Sequence, residues 1–510
     1  MFLWEVKNKK MIIRDLKTLK ELFKSIKTPI FGVGVYAFDR LGLEKLISNY
    51  KILVLRYSLD TKLIEKDIEM LSLEKTMGTK HIKQPRNATT LIARSEIIKK
   101  YLNKFENPAL YVHKASTKME KACEENNWKL LTNPTIFGKQ FLENKINFRK
   151  LLEDMNVAVP PGKIASIENL HYGHLINKYG LPFIIQHPTK GGGKGTFLIK
   201  NQEDFQKTMD RLNRSIDDED EEKKIVPATK VIVAKFIKGT SPSITCCITK
   251  DGILSTNLQH QVLDIPELYN PEKGFGLFCG HDWTSSNFDE KISKQAYEYT
   301  QKIGDHFKKL GYKGIFGLDF VLSKKTNRLY VIECNPRLLG SYPTLNMAQL
   351  LNNEPPLLAF HILEFLNIDY QIDIKEINKL IRQKKNGAQM ILHNLSGHWA
   401  RNRNEIKAGV YGLENNKLKY LRTGYDLKHL KDKEEFLLAD GVSLKKSHFS
   451  PNRRLCRILT LNSVLDDSKY KELTPWAKKV AEIVYESFSM KPIKLIKIKK
   501  FFFPNFLAKG

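Results

Sequence analysis

Gly314-Ile-Phe-Gly-Leu-Asp-Phe-Val-Leu322, then a turn, then Leu329-Tyr-Val-Ile-Glu-Cys-Asn-Pro-Arg337 is the stretch on which the reading of this chain turns. Both halves are apolar, and the turn at Lys324–Asn327 between them predicts a β-hairpin. Such strands normally exclude charge, yet Asp319 lies on the first and Glu333 on the second. Across the turn the two carboxylates can come opposite one another on one sheet face. Asn335 follows Glu333 by two residues and so projects to the same side, whereas Cys334 points to the core. Two carboxylates and an amide oxygen form a hard, oxygen-only set. That set suits Mg2+ (or Mn2+), which keeps several waters and completes its shell with nucleotide phosphates. Arg337 adds a planar cationic fork for a phosphate or a reacting acyl oxygen. A buried ion pair of Arg337 with Glu333 or Asp319 is the alternative reading of the same residues.

Upstream lies Leu181-Pro-Phe-Ile-Ile-Gln-His-Pro-Thr-Lys-Gly-Gly-Gly-Lys-Gly-Thr-Phe-Leu-Ile199, two apolar strands around a glycine loop. Glycine has no Cβ, so backbone N–H groups can approach a phosphate closely, and Lys190 and Lys194 supply charge. The loop is not a Walker A sequence, and its bland reading is a flexible hairpin tip. Glycine loop and acidic hairpin together make the stronger signal.

These residues resemble the ATP-grasp enzymes, within them the carbamoyl-phosphate-synthetase and biotin-carboxylase-like branch of carboxylate–amine ligases. The resemblance is best over residues 130–370 and looser over the preceding α/β unit, which looks like the domain that precedes ATP-grasp there. It implies two subdomains that clasp ATP and a carboxylate activated as an acyl phosphate. An amine, thiol or other nucleophile then attacks, and ADP and phosphate leave. Carried over, Asp319, Glu333 and Asn335 match the metal ligands and Arg337 the catalytic arginine. Lys145 matches the first ATP lysine, and Gly192, Gly193 and Gly195 match the phosphate loop. Lys235, Phe236 and Ile237 match the adenine hinge. The second ATP lysine falls on Gln186, which carries no charge, and the acid that opens the hinge falls on Ala234. Lys190 and Lys194 are placed to compensate. There is no biotin-attachment segment. For the acceptor, Gln261 lies on an expected strand at Gln259–Val262, and His281 and Asp282 lie on an expected loop, Gly280–Trp283, able to position or deprotonate a nucleophile.

The expected fold is multidomain α/β and α+β. A basic extension at 1–27, with an N-terminal helix, precedes a parallel α/β domain at 28–135. Its strands are read at Ile30–Val35, Ile52–Leu55, Ala109–Val112 and Lys129–Leu131. The two-subdomain ATP-grasp unit is placed at 136–375, its glycine-loop subdomain at about 158–238. A small β-rich unit at 385–490 and a basic aromatic tail at 491–510 complete the chain. The acidic run Asp217–Lys224 reads as a solvated surface segment.

Composition bounds the alternatives. The 510 residues include 84 Lys or Arg against 56 Asp or Glu, a net charge of +28, and 42% hydrophobic residues, which excludes a disordered chain. The lysines are spread along the chain and no nucleic-acid module accompanies them, so no specific nucleic-acid partner is expected. Six cysteines without a CxxC pair exclude a disulfide scaffold and a zinc ribbon, and with no secretory signal the reading is a cytoplasmic, reduced protein. No apolar run approaches the ~18 residues of a membrane span. The tail, with lysines beside Phe501–Phe503, reads as a disordered or docked segment, with weak contact to an anionic membrane surface as the alternative. Small-molecule substrates and a homodimer complete the expected partners. A non-catalytic ATP-binding module is the second functional reading, and an anionic-surface or nucleic-acid binder the third.

Overall fold

The computed structural model describes residues 11–78, 88–191, 193, 195–213, 228–466, 469 and 471–493. The acidic run Asp217–Lys224, Gly192, Lys194 and the tail beyond residue 493 lie outside the described residues.

Near the N-terminus, the apolar runs read as buried strands form a parallel sheet of 5 strands in the order Met70–Ser72, Tyr50–Val54, Ile30–Gly34, Ala109–Val112, Lys129–Leu130. Every residue of Ile30–Gly34 and Ala109–Val112 is buried. Continuous apolar runs rather than alternation are what a parallel sheet covered on both faces requires. The basic extension contributes the amphipathic helix Leu16–Lys24, capped by Asp15, and a short strand Ile12–Ile13 beside Gln371–Ile372.

The helix Lys145–Asp154 leads to an antiparallel sheet of 4 strands, ordered Gly162–Ser166, Lys230–Lys235, Phe183–Gln186, Thr196–Ile199. The last two carry the glycine loop between them. Next comes a 12-stranded sheet. Its path runs Gly239–Thr240, Gly314–Ser323, Pro242–Ile248, Gln259–Leu263, Phe278–Asp282, Ala388–His393, Arg454–Thr460, Phe436–Ala439, Gly409–Glu414, Lys417–Arg422. Leu329–Asn335 pairs with Gly314–Ser323 as the hairpin pattern requires. The 20-residue helix Glu290–Lys309 buries Ile292, Ala296, Ile303 and Phe307 against this sheet, the spacing of an amphipathic face.

The β-rich stretch expected as a small C-terminal unit does not stand apart. Ala388–His393 pairs antiparallel with Phe278–Asp282, so the C-terminal strands extend the sheet that carries the acidic hairpin. One hydrophobic core joins Ile30 and Ile52 of the parallel sheet with the helix Leu357–Leu366 and with Leu437 and Leu459 of the C-terminal strands. The start of the expected tail is also structured, since Met490–Pro492 pairs with Ala400–Asn402. Among the described residues no helix is long and apolar enough to cross a membrane.

Five histidines are buried among the described residues, and burial pushes the imidazoles of His361, His393, His187 and His260 down to about 4 and that of His281 to about 3. They are neutral in the fold, while in the unfolded chain they protonate below their ordinary value of 6.5. The unfolded state therefore binds more protons as pH falls, and stability present above pH 6.5 is lost progressively towards pH 4. Thermal melts at pH 7.5 and 5.0 are expected to show a clear drop at the lower pH, and equal midpoints would contradict the neutral, buried assignment.

Candidate active site

The hairpin register sets Asp319 directly opposite Glu333, with a bulge just after Asp319. Asn335 lies on the same face and donates from Nδ2 to Asp319 Oδ2 at 2.9 Å. Burial, and next the neighbouring Glu333 carboxylate, push Asp319 up to about 7. Two facing carboxylates in a partly desolvated setting repel one another, and a divalent cation is the partner that relieves this. Among the described residues no group of three or more His, Cys, Asp or Glu side chains is placed to hold a metal ion. The hairpin set is instead two carboxylates and an amide, which leaves most of a coordination shell to water and phosphate. The donor chemistry fits Mg2+.

Lys145, first residue of its helix and buried, bridges two parts of the site. Its Nζ donates to Glu333 Oε1 at 3.1 Å and to the carbonyl of Lys190 at 3.0 Å. The helix starts here because Asn144 caps it, its Oδ1 accepting from the backbone of Ile146 and Asn147. Lys145 thus holds the root of the glycine loop against the acidic hairpin.

Arg337 makes no ion pair with Asp319 or Glu333, the alternative considered from sequence. Its Nη2 donates to Asn335 Oδ1 at 2.9 Å, Nη1 meets His113 Nε2 at 3.2 Å, and Nε lies 4.0 Å from Glu143 Oε1. Glu143 in turn takes Lys114 at 2.5 Å. His113 and Lys114 follow the strand Ala109–Val112, so the parallel sheet reaches directly into the site. Burial, then the charge of Arg337, hold His113 well below its ordinary range, leaving it neutral and able to accept from the guanidinium.

The glycine loop rests on a segment that sequence reasoning did not single out, Gly274-Phe275-Gly276-Leu277. Gly193 has φ +78°, and a Cβ there would lie 2.6 Å from the Gly276 carbonyl oxygen. Asp264 fixes the partner segment by accepting from the backbone of Gly276 and Leu277 at 3.0 and 2.8 Å. The hinge residue Phe236 packs edge-on against Phe275, ring centroids 6.0 Å apart. Beside it Lys235 is exposed and Ile237 half-buried. Loop and hinge therefore close on one segment. Gly193→Ala combines backbone strain with a clash against main chain. It is expected to weaken nucleotide binding by about tenfold, read by calorimetric titration of MgATP; unchanged affinity would detach the loop from the nucleotide.

Gln186 keeps a neutral role, donating from Nε2 to Thr196 Oγ1 across the two strands at 3.3 Å. Ala234 is buried on the hinge strand.

The expected acceptor residues separate. The stretch Gly280–Trp283, read as a loop, is mostly strand: Phe278–Asp282 pairs with Gln259–Leu263 on one side and Ala388–His393 on the other. Trp283 is fully buried, its indole N–H donating to Gln259 Oε1 at 2.9 Å. Pairing sets Gln261 opposite His281 and His281 opposite Gln389. Asp282 faces the other way. It is fully buried and accepts from the backbone of Ser285, Val464 and Leu465 and from the Ser463 hydroxyl at 2.7–3.0 Å. That carboxylate anchors the 463–465 turn, on the strand face opposite His281.

His281 belongs to a polar row across the sheet. Arg457 Nη1 and Thr344 Oγ1 both donate to Gln389 Oε1, which turns Gln389 Nε2 toward His281 Nδ1 at 3.4 Å. His281 Nε2 must then carry the proton and faces Ser243 Oγ at 3.4 Å, and Ser243 pairs with Asp319. The row links the acidic hairpin to Arg457, whose guanidinium also donates to the Gly340 carbonyl at 2.9 Å.

Comparison with known proteins bears on this geometry. Residues 142–341 match the family model described as an ATP-grasp domain. The arginine-specific large chain of carbamoyl phosphate synthase from Halalkalibacterium halodurans is 25% identical over 224 residues, 43% of this chain and 18% of that protein. The carbamoyl phosphate synthase large chain of Caldanaerobacter subterraneus subsp. tengcongensis is 23% identical over 210 residues, 40% of this chain and 17% of that one. The match thus spans less than a fifth of these curated relatives. Among solved structures, biotin carboxylase from Campylobacter jejuni with β-γ-ATP superposes with TM-score 0.55 at 13% identity, covering 86% of this chain and 88% of that one. The biotin carboxylase domain of 2-oxoglutarate carboxylase from Hydrogenobacter thermophilus, with MgADP and bicarbonate, gives 0.53 at 13% identity, covering 85% and 86%. At such identity the likeness is one of fold, and it extends across most of the chain.

Proposed function

We propose, from the match of residues 142–341 to the ATP-grasp domain model, an ATP- and Mg2+-dependent ligase that activates a carboxylate as an acyl phosphate and passes the acyl group to an amine or other nucleophile. The observation that carries the reading is the convergence of Asp319, Glu333 and Asn335 with Lys145, the glycine loop and Arg337 around one edge of the sheet. Mg2+ held by Asp319, Glu333 and Asn335 would offset charge on the nucleotide phosphates, an electrostatic contribution. Lys145 and Arg337 stabilise the negative charge that grows as a substrate carboxylate oxygen bonds to the γ-phosphorus and the bridging oxygen leaves with ADP. The acyl carbon is then attacked, inorganic phosphate leaves with the electron pair of the broken C–O bond, and the nucleophile loses a proton. In this reading Phe236 and the backbone of Lys235–Ile237 receive the adenine. Closure of the glycine loop on Gly276 excludes water from the acyl phosphate.

The second reading, a nucleotide-binding module without turnover, is favoured by one observation: Gln186 is neutral and engaged with Thr196. Product analysis separates the two. Purified protein with MgATP and a pool of carboxylates and amines is expected to release ADP only when the pool is present. AMP in its place would overturn the acyl-phosphate mechanism. Binding of MgATP with neither product, across pools of widening composition, would favour the module.

A further inference from the structure

The turn that carries Arg337, between the strand Leu329–Asn335 and the helix Tyr342–Leu351, is neither strand nor helix. Its shape is therefore set by what it touches. One end is fixed locally: Arg337 donates its backbone N–H to the Asn335 carbonyl at 2.8 Å and its Nη2 to Asn335 Oδ1 at 2.9 Å. In the middle, Leu339 fills the notch left by Gly317, where a Cβ would come within 2.7 Å of the leucine methyl carbons. The far end is taken by a side chain from a distant part of the sequence. Arg457, on the strand Arg454–Thr460, donates from Nη1 to the Gly340 carbonyl at 2.9 Å.

Arg457 is itself enclosed, at 2% exposure. Its Nε and Nη2 lie 2.9 and 2.8 Å from Asp440 Oδ2, Nη1 also donates to Gln389 Oε1, and the guanidinium carbon stands 5.2 Å from the Phe38 ring centroid. Asp440 is fully buried, and among the described residues its Oδ1 has no hydrogen-bond partner. It holds a left-handed conformation, φ +66°, which Asp60 enforces by accepting from the backbone of Asp440, Gly441 and Val442. A buried ion pair returns little net stability, because desolvating both charges offsets their attraction. An unpartnered buried oxygen and a left-handed aspartate add to that cost. What the pair does supply is direction. The planar fork of an arginine spans Asp440, Gln389 and Gly340 at fixed angles, a geometry that a lysine ammonium on a flexible stem does not reproduce.

We propose that Arg457 is a positioning residue for the ligase reaction: held by Asp440, it fixes the far end of the 337–341 turn through Gly340 and so sets where the Arg337 guanidinium stands beside Asn335. It acts through Arg337 and not on the reacting atoms. The proposal rests on the ligase reading for the role of Arg337, but the hold on the turn is measurable without turnover.

Arg457→Lys keeps a cation for Asp440 and loses the fork that reaches Gly340 and Gln389. Hydrogen–deuterium exchange of the full chain, read by mass spectrometry, tests the hold directly. Backbone amides of residues 337–345 are expected to exchange about tenfold faster in the variant, while those of the strands Phe436–Ala439 and Arg454–Thr460 keep native rates. Unchanged exchange at 337–345, or faster exchange spread over all three segments, would overturn the proposal, the latter in favour of a structural role. Asp440→Asn, which leaves Arg457 in place without its anion, is expected to give the same local rise and serves if Arg457→Lys does not fold; failure of both to fold would make the pair structural and overturn the proposal. Turnover with MgATP and the carboxylate–amine pool adds a second readout. Arg457→Lys should lower kcat by about tenfold or more and leave the KM for MgATP within about twofold. Added to Arg337→Lys it should cost nothing further, because no fork remains to be placed, whereas losses that multiply would overturn the proposal. Release of no ADP by the native protein tells against the ligase reading alone, and exchange then decides the hold on the turn by itself.

Discussion

Glu333→Gln is expected to abolish ADP formation, with a loss of about a thousandfold or more, while the protein melts no lower than the native chain at neutral pH. The substitution keeps shape and keeps an oxygen for the Lys145 ammonium, whose bond to Glu333 is 3.1 Å. It removes one of the two facing carboxylates, and with it the repulsion that, after burial, helps push Asp319 up to about 7. Activity should vanish and stability should hold or rise, the signature of a group kept for chemistry at a cost to the fold. ADP formation and thermal melts on the same preparation check both halves. Undiminished turnover would remove the metal assignment, and a large drop in melting temperature would make Glu333 a structural residue.

Asp282→Ala should behave in the opposite way. The native carboxylate accepts from three backbone N–H groups and one hydroxyl, all within 3.0 Å and away from solvent. Its loss strands those donors in the interior, each at about 1–3 kcal/mol. The variant is expected to lose roughly 3 kcal/mol or more of stability, read by urea denaturation, and to lose turnover only in proportion to its folded fraction. A stable protein with impaired turnover would return Asp282 to the acceptor site, where its neighbour His281 faces the other side of the same strand.

The contrast between these two acids shows how far the sequence could be read. Asp319, Glu333, Asn335 and Arg337 sit on one hairpin, where alternation and a short turn bring them together by local geometry alone, and the register follows from the pattern. The parallel strands were legible for a similar reason, because fully buried strands leave unbroken apolar runs. Asp282 was not legible. A one-residue step along a strand turns a side chain to the other face, and reading Gly280–Trp283 as a loop removed the alternation that separates His281 from Asp282. His113, Glu143 and Arg457 carry no local signature either. Their partners lie on other elements, and only the return of the C-terminal strands to the sheet of the acidic hairpin brings Arg457 to Gly340. The Gly274-Phe275-Gly276 segment had a signal, two glycines flanking an aromatic, but only the tertiary approach of Gly193 gives it meaning.

The unbroken 12-stranded sheet limits how this molecule can move. Acidic hairpin, His281 row and C-terminal strands are laced by one ladder of backbone hydrogen bonds, and a shared core ties that ladder to the parallel sheet. The four-stranded sheet bearing the glycine loop is outside it, joined through residues 155–161 and 236–238. The small sheet meets that frame where Gly193 approaches the Gly274–Leu277 segment, so this contact of the glycine loop is one the ladder does not fix.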